Sequence, residues 1–260
     1  MRQYELYNQK NIRDLGGLVG FNNRKIKYQK LFRGGALIKV TEEDIPIIES
    51  FHLTDVIDFR TSFEFDYRPD YRIEGVTYHN IPALKEDDKN KEDAHKYEDG
   101  NLLWFVKPGD TGFNHLRRTY DEFVTTKEGI NAFKRFFELL VSSPDKTFYF
   151  HCSQGKDRAG FAAFLLEIAL GVSYDDAMED YLLSNVAMEK RVVRLIESVE
   201  DKSFYNEEYH KALLDVFSAK KEYMDSVIKK MNELYGGTME FIQNVLKVDI
   251  DKLRDIYLEN

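Results

Sequence analysis

Apolar positions recur along this chain with two periods, and the change from one to the other divides it. Before residue 125 the runs are short. IKYQKLFRGG (26–35) alternates and predicts one or two short strands. TDVIDF (54–59) has the length and composition of a buried strand, and VTYHNIP (76–82) reads as another. NIRDLGGL (11–18) reads as a loop with a Gly-Gly turn. Residues 41–52 predict a short helix with Thr41 as N-cap and Pro46 inside it. The run KEDDKNKEDAHKYED (85–99) is almost wholly polar, which fits a solvated loop or exposed helix, or a flap beside a site. Residues 101–124, around Gly109 and Gly112, carry no assignable pattern.

From residue 125 the spacing is helical. Thr125 and Glu128 have capping-box spacing, and Ile130, Phe133, Phe136, Phe137 and Leu140 follow at helical intervals. Pro144-Asp145 breaks the chain, and TFYF (147–150) reads as an aromatic strand that ends at His151-Cys152. RAGFAAFLLEIAL (158–170) is apolar on nearly every face, which predicts a deeply buried helix closed by Gly171. Ser173 and Asp176 cap a further helix through about Ser184, and amphipathic helices are expected near 187–200, 207–235, 237–246 and 250–258. Tyr209, Leu213, Phe217, Met224, Ile228 and Met231 mark the inner face of the 207–235 segment, packed in a core or closed over a site as a lid. Mixed β and α followed by all-α predicts an α/β fold over residues 1–260 as a single domain. Its central sheet is mainly parallel and flanked by helices, with a helical C-terminal layer from about 173 to 260.

Composition narrows the function classes. The chain is 43% hydrophobic and 32% charged, as soluble globular proteins are. No apolar run approaches the ~18 residues of a membrane span, so no integral membrane segment is expected. The N-terminus has no apolar core of a signal peptide, which predicts a cytoplasmic protein, with export lacking a visible signal or prior cleavage as alternatives. The net charge of −9 argues against nucleic acid as a partner. The single cysteine excludes an internal disulfide framework. The six histidines (52, 79, 95, 115, 151, 210) have no metal-ligand spacing, no nucleotide fingerprint is present, and neither a metal nor another cofactor is implied. Nothing in the sequence sets an oligomeric state.

That one cysteine lies in HCSQGKDRAG (151–160), between the predicted aromatic strand and the buried helix. Ligand sites in open α/β sheets gather at the carboxyl ends of strands. A glycine-containing loop there turns successive N–H groups inward, and the following helix adds the positive end of its dipole. The same field favours a thiolate over a thiol. Arg158, six residues after Cys152, has the planar fork that grips two oxygens of a phosphate. A lone cysteine beside a core helix is usually an inert small hydrophobe, but packing does not call for Lys156, Asp157 and Arg158 in succession.

The stretch resembles the phosphate-binding loop of cysteine-dependent protein tyrosine phosphatases. It is most similar to a bacterial family of atypical tyrosine and phosphoinositide phosphatases carrying HCxxGKDR. The resemblance covers nearly the whole chain: NIRDLGGL, LFRGGAL, VIDFRTSFEFDYRPD, VSYDDAMEDYLLSN and LYGGTMEFIQ each resemble segments of that family. It implies a cysteine-dependent phosphatase acting on phosphotyrosine, with phosphoserine, phosphothreonine or a phosphoinositide as further substrates. Cys152 would be the nucleophile, Arg158 the phosphate clamp, and the backbone of Ser153, Gln154, Gly155, Lys156, Asp157 and Arg158 the phosphate cradle. His151 would orient the thiolate. No Trp-Pro-Asp element is present, since Trp104, Pro108 and Asp110 are wrongly spaced, so the general acid is Asp157 by resemblance, with Asp110, Asp99 and Asp58 as the other candidates. For Asp58 the expected role is to hold the Arg158 guanidinium. Lys156 reads equally as a contact for additional phosphates and as an exposed lysine. Asn11, Arg13 and Asp14 are expected to buttress the loop, whereas Arg33 and Arg60 are left unassigned, with a surface position as one reading. One departure stands out. The family carries Ser or Thr after the arginine, where this chain has Ala159, so release of the phosphoryl group is expected to be slow, and a phosphate-binding protein with little turnover is the competing reading. Arsenate reduction is disfavoured by the lone cysteine, and sulfur transfer gives Lys156 and Asp157 no place.

Overall fold

The computed structural model describes residues 2–9, 11–86, 112–203 and 205–260. Residues 87–111, which include most of the polar run and the acid candidates Asp99 and Asp110, lie outside them. Six strands form one sheet: β1 (Arg2–Tyr4), β2 (Ile12–Asp14), β3 (Leu31–Gly35), β4 (Asp55–Asp58), β5 (Thr77–Asn80) and β6 (Phe148–Cys152), in the order β1-β2-β3-β6-β4-β5. The first three pair antiparallel; β3, β6, β4 and β5 are parallel. NIRDLGGL therefore contains a strand where a loop was expected. Three residues are too few for a two-residue period to register, and the strand exists because its neighbours β1 and β3 pair with it.

The central strand β6 explains why TFYF lacks alternation. Phe148 and Phe150 join one apolar cluster with Phe133, Phe136, Phe161 and Leu165, while Tyr149 joins the opposite one with Phe32, Phe51 and Val56. A parallel strand covered on both faces needs apolar residues at every position.

The described helices are α1 (Ile45–Glu49), α2 (Ser62–Tyr67), α3 (Gly112–Thr125), α4 (Lys127–Ser142), α5 (Arg158–Ala169), α6 (Tyr174–Glu197), α7 (Glu207–Phe217), α8 (Lys221–Tyr235), a turn at Thr238–Glu240 that runs into a π-helical turn at Phe241–Val245, and α9 (Ile250–Tyr257). Four boundaries differ from the sequence pattern for local reasons. Thr125 closes α3, so Thr126 is the N-cap of α4, accepting from Gly129 N. No glycine or proline interrupts residues 174–197, and the two helices expected there are one. Conversely, the expected 207–235 helix breaks at 218–220, where Asn185 exchanges two hydrogen bonds with the Ala219 backbone. Asp44 rather than Thr41 sits at the N-cap of α1, with Pro46 in the first turn, where its missing N–H is tolerated.

Helix α5 is buried along almost its whole length, as its all-round apolarity predicted. Tyr181, Tyr223, Met224, Met231 and Tyr257 belong to the same cluster as the sheet residues, so α6, α8 and α9 pack as core, whereas Tyr209 and Leu213 of α7 form a separate small cluster with Val199. No described helix is long and apolar enough to cross a membrane.

Candidate active site

Parallel pairing aligns the carboxyl ends of β3, β6 and β4: Gly35 pairs with Cys152 and Asp58 with His151. Cys152 is therefore the last residue of the central strand, 2% exposed, and the loop 153–157 leads from it into α5, whose first residue is Arg158. The loop passes very close to β3. Gly155 has φ +74°, and a Cβ there would lie 2.3 Å from the Gly34 carbonyl carbon and oxygen, so only glycine fits.

Three successive loop carbonyls are held from behind. Ser153 O accepts from Ala36 N at 3.3 Å, Gln154 O from Asn11 Nδ2 at 3.0 Å, and Gly155 O from Arg33 Nη2 at 3.0 Å. In a planar trans peptide the N–H points opposite to the C=O. Fixing these carbonyls therefore turns the N–H groups of Gln154, Gly155 and Lys156 to the other side, the arrangement of an anion-binding nest.

The holders are themselves fixed by buried charge. Arg13 donates to Asn11 Oδ1 and to Asp180 Oδ1, the latter at 2.8 Å, and Arg33 is paired with Asp180 Oδ2. All four side chains are essentially buried. Burial would raise Asp180, but Arg13 and Arg33 hold it at about 2. Glu167 of α5 is buried beside this group, and burial together with the Asp180 charge raises its carboxyl well above the usual range.

On the other side of the loop Arg158 meets Glu64 of α2. Nη1 donates to Glu64 Oε2 at 2.6 Å and Nη2 to Oε1 at 3.0 Å; Ser153 Oγ donates to the same Oε1 at 2.5 Å and accepts from Nη2 at 3.3 Å. Glu64 is placed by a capping box, in which Thr61 Oγ1 accepts from Glu64 N and Glu64 Oε2 accepts from Thr61 N. Burial would raise the Glu64 carboxyl, but the Arg158 charge and its hydrogen bonds hold it at about 2. Burial likewise opposes the Arg158 charge, yet Glu64, Cys152 and Asp157 raise its pKa, so the guanidinium stays charged and lies within the electrostatic reach of the thiol.

Behind Cys152, His151 Nδ1 lies 3.2 Å from Cys152 O, and its Nε2 lies 3.1 Å from Asp70 Oδ2, a contact that is Coulombic rather than a linear hydrogen bond. Burial disfavours the imidazolium, but Asp70 and Asp58 raise His151 to about 9. Asp58, Asp70 and His151 are close enough to ligate a metal ion. Arg60 fills that role, however, donating to Asp58 Oδ2 at 2.6 Å and to Asp70 Oδ2 at 2.9 Å.

Asp157 stands at the N-cap position of α5, but its side chain makes no capping bond. Its Oδ1 accepts from Lys156 Nζ at 2.6 Å and from Tyr120 Oη at 3.0 Å, and Tyr120 Oη lies 2.7 Å from Tyr181 Oη.

The structure thus brings Cys152, the 153–157 loop, Arg158, His151, Asn11 and Arg13 together, and it corrects four expectations. Asp58 does not hold Arg158; it is chelated by Arg60, two residues along, and Glu64 takes the Arg158 partnership. Asp14 serves the β2–β3 connection, accepting from Gly16 N and Gln29 N. Of the two readings of Lys156 the exposed one falls, since its side chain is buried against Asp157. Arg33 and Arg60 are buried ion-pair centres, not surface residues. Glu64 and the Asp180 pairings were missed. The Thr61-x-x-Glu64 spacing signalled the capping box, but no local pattern announces that its glutamate also reaches Arg158.

Comparison with known proteins agrees with this geometry. A family model described as the tyrosine phosphatase family matches residues 4–259. A protein from Cupriavidus necator, provisionally named as a tyrosine-protein phosphatase, is 27% identical over 248 residues, covering 95% of this chain and 85% of its own length. The triple specificity protein phosphatase PtpB of Mycobacterium tuberculosis is 23% identical over 276 residues, covering 95% of this chain and 99% of its own.

Proposed function

The chain belongs to the tyrosine phosphatase family, and from that premise we propose that it hydrolyses phosphotyrosine through a phosphocysteine formed on Cys152. The observation that carries the reading is the loop itself, with its carbonyls tied back by Ala36, Asn11 and Arg33 beside a fixed Arg158. The phosphate dianion binds to the loop amides and the guanidinium of Arg158, whose fork Glu64 aligns. The Cys152 thiolate attacks phosphorus; the S–P bond forms as the P–O bond to the leaving group breaks, and Asp157 gives its proton to the departing oxygen. Water then attacks the phosphocysteine, Asp157 takes a proton from it, and the S–P bond breaks to release phosphate and regenerate the thiolate.

Asp157 is the acid in this reading because its carboxyl lies in the loop, partly exposed, and does not cap α5. The imidazolium of His151 supports the thiolate electrostatically from behind. Phosphoserine, phosphothreonine and phosphoinositides are the further substrate classes to assay; one relative is named a triple specificity phosphatase.

A second reading concerns rate. Ala159 offers no hydroxyl, and the neighbouring Ser153 hydroxyl is engaged by Glu64, so neither is free to assist the departing thiolate. Slow dephosphorylation of the enzyme follows, with a fast burst before steady state. Phosphate release from a phosphotyrosyl peptide and from a phosphoinositide, by wild type and by Cys152→Ser, tests the proposal. Release from at least one substrate that falls by more than about 10³-fold in Cys152→Ser supports it. No release from either, or equal release by the variant, overturns it.

A further inference from the structure

We propose that Tyr120 and Tyr181 are positioning residues that select which oxygen of Asp157 carries the acidic proton. The inference rests on Asp157 as the general acid. Its starting observation is that an aspartate at an N-cap position leaves the cap unmade, although capping is the role this residue type usually plays there. The carboxyl is diverted: both donors that reach it, Lys156 Nζ and Tyr120 Oη, converge on Oδ1.

The direction of the chain follows from proton counting. A phenol has one proton to give. Tyr120 gives its proton to Asp157, so the 2.7 Å contact between the two phenols must be donated by Tyr181. The order is Tyr181 to Tyr120 to Asp157 Oδ1. An oxygen that accepts two donated hydrogen bonds is a poor place for a proton, so protonated Asp157 carries it on Oδ2. Among the described residues no partner holds Oδ2, which leaves the proton available to a leaving group.

The two phenols suit this task. Both are fully buried. Burial, reinforced by the Asp157 charge, raises both pKa values, so each remains a donor throughout the working pH range. Their rings are immobilised: Tyr120 packs against Phe123 at 5.2 Å, Tyr223 at 5.6 Å and Tyr181 at 6.3 Å. Gly160 makes room for the arrangement, since a Cβ there would approach the Tyr181 ring to 3.1 Å and Arg33 Nη2 to 3.0 Å. The relay also gives the C-terminal helices a part in the chemistry, because Tyr181 comes from α6 and Tyr223, packed on Tyr120, from α8. Among the described residues, the charged and titratable groups acting on Asp157 or on the relay include Lys156 and Arg158 from the loop and helix start, Tyr120 from α3, Tyr181 from α6 and Tyr223 from α8.

The test compares kcat/KM for p-nitrophenyl phosphate, whose leaving group needs little protonation, with that for phenyl phosphate, whose leaving group needs more. It uses wild type, Asp157→Asn, Tyr120→Phe and Tyr181→Phe. This ratio reports the first chemical step and is not moved by a uniform loss of folded protein. Asp157→Asn should slow the phenyl ester selectively, by about 10²-fold or more. Tyr120→Phe should do so by about 10-fold, and Tyr181→Phe in the same direction by a few-fold. If Asp157→Asn is selective while both tyrosine variants slow the two esters equally or not at all, the relay is wrong and the acid stands. If Asp157→Asn is itself unselective, the acid assignment falls and the relay with it. Tyr181→Phe, one step removed from the carboxyl, keeps the test decisive should Tyr120→Phe fold poorly.

Discussion

The two sides of the 153–157 loop are supported by different chemistry. Behind it, the carbonyls are tied through buried full charges, with Arg13 and Arg33 sharing Asp180. At its helical end, the Asp157 carboxyl also meets two neutral phenols, Tyr120 directly and Tyr181 through it. On the proposed mechanism, the contrast follows from what each side would have to do. A backbone that has to present N–H groups to a dianion must not move, and charged bonds inside a protein are strong and costly to break. A carboxyl that has to gain and lose a proton needs partners that hold one oxygen without changing charge themselves. The rear of the loop should therefore report mainly on folding and the helical end mainly on chemistry.

The largest effect expected from this contrast is at Arg33. Arg33→Met leaves Asp180 with one buried partner and frees the Gly155 carbonyl, and it should lower the unfolding free energy by about 3–5 kcal/mol in urea denaturation. Tyr120→Phe, which removes one hydroxyl, should cost about 1 kcal/mol in the same measurement. Equal losses would erase the distinction.

His151 adds a pH dependence on the folding side. Its pKa is raised to about 9 in the folded protein, so its contribution is complete below the ordinary histidine value near 6.5 and is lost as pH rises through about 9. The contribution is on the order of 3 kcal/mol. Denaturation between pH 6 and 10 should show that decline, and His151→Gln should flatten it.

Glu64 sits between the two regimes, because it is a charged support whose partner is Arg158, the guanidinium proposed to grip the phosphate. Glu64→Gln keeps the shape but weakens the hold on Arg158, and it should raise KM for aryl phosphates by about 10-fold with a smaller change in kcat. Since Glu64 is held at about 2, its contribution is present above the ordinary glutamate value and fades only as pH falls through about 2. An acid limb of the rate profile near pH 5 therefore has another source.

The smallest expected effect is a gain. Ala159→Ser restores a hydroxyl after the arginine and should raise steady-state turnover by a few-fold while shrinking the pre-steady-state burst, as stopped-flow release of p-nitrophenol would register.

The same contrast separates what could be read from the sequence. The helical end of the loop was legible. Cys152, Asp157 and Arg158 lie within one seven-residue stretch, and the buried helix after them has an all-apolar pattern, but the Tyr120 and Tyr181 contacts of Asp157 come from distant segments that no local pattern pointed to. The rear was only half legible. Asn11 and Arg13 were expected to buttress the loop, but Asp180 lies 167 residues from Arg13, and no local period encodes such a pairing. Nothing local marks Arg33 and Arg60 as buried, because burial of a guanidinium depends on partners that the sequence places elsewhere. Asp58 was read as the holder of Arg158 because both were expected at one end of the sheet. The structure places Arg60 nearer to it, and Asp58 is already chelated. The short strands β1 and β2 escaped for the same reason: they exist through pairing rather than through pattern.

The claim beneath all of this is that Cys152 is the atom that takes the phosphoryl group. Rapid acid quench of the enzyme mixed with a phosphotyrosyl peptide, followed by mass spectrometry of its peptides, reads it directly. The account predicts one phosphoryl group on the peptide containing Cys152 within the burst, and none in Cys152→Ser. A catalytically active wild type with no such adduct, or with the phosphoryl group on another residue, would contradict it.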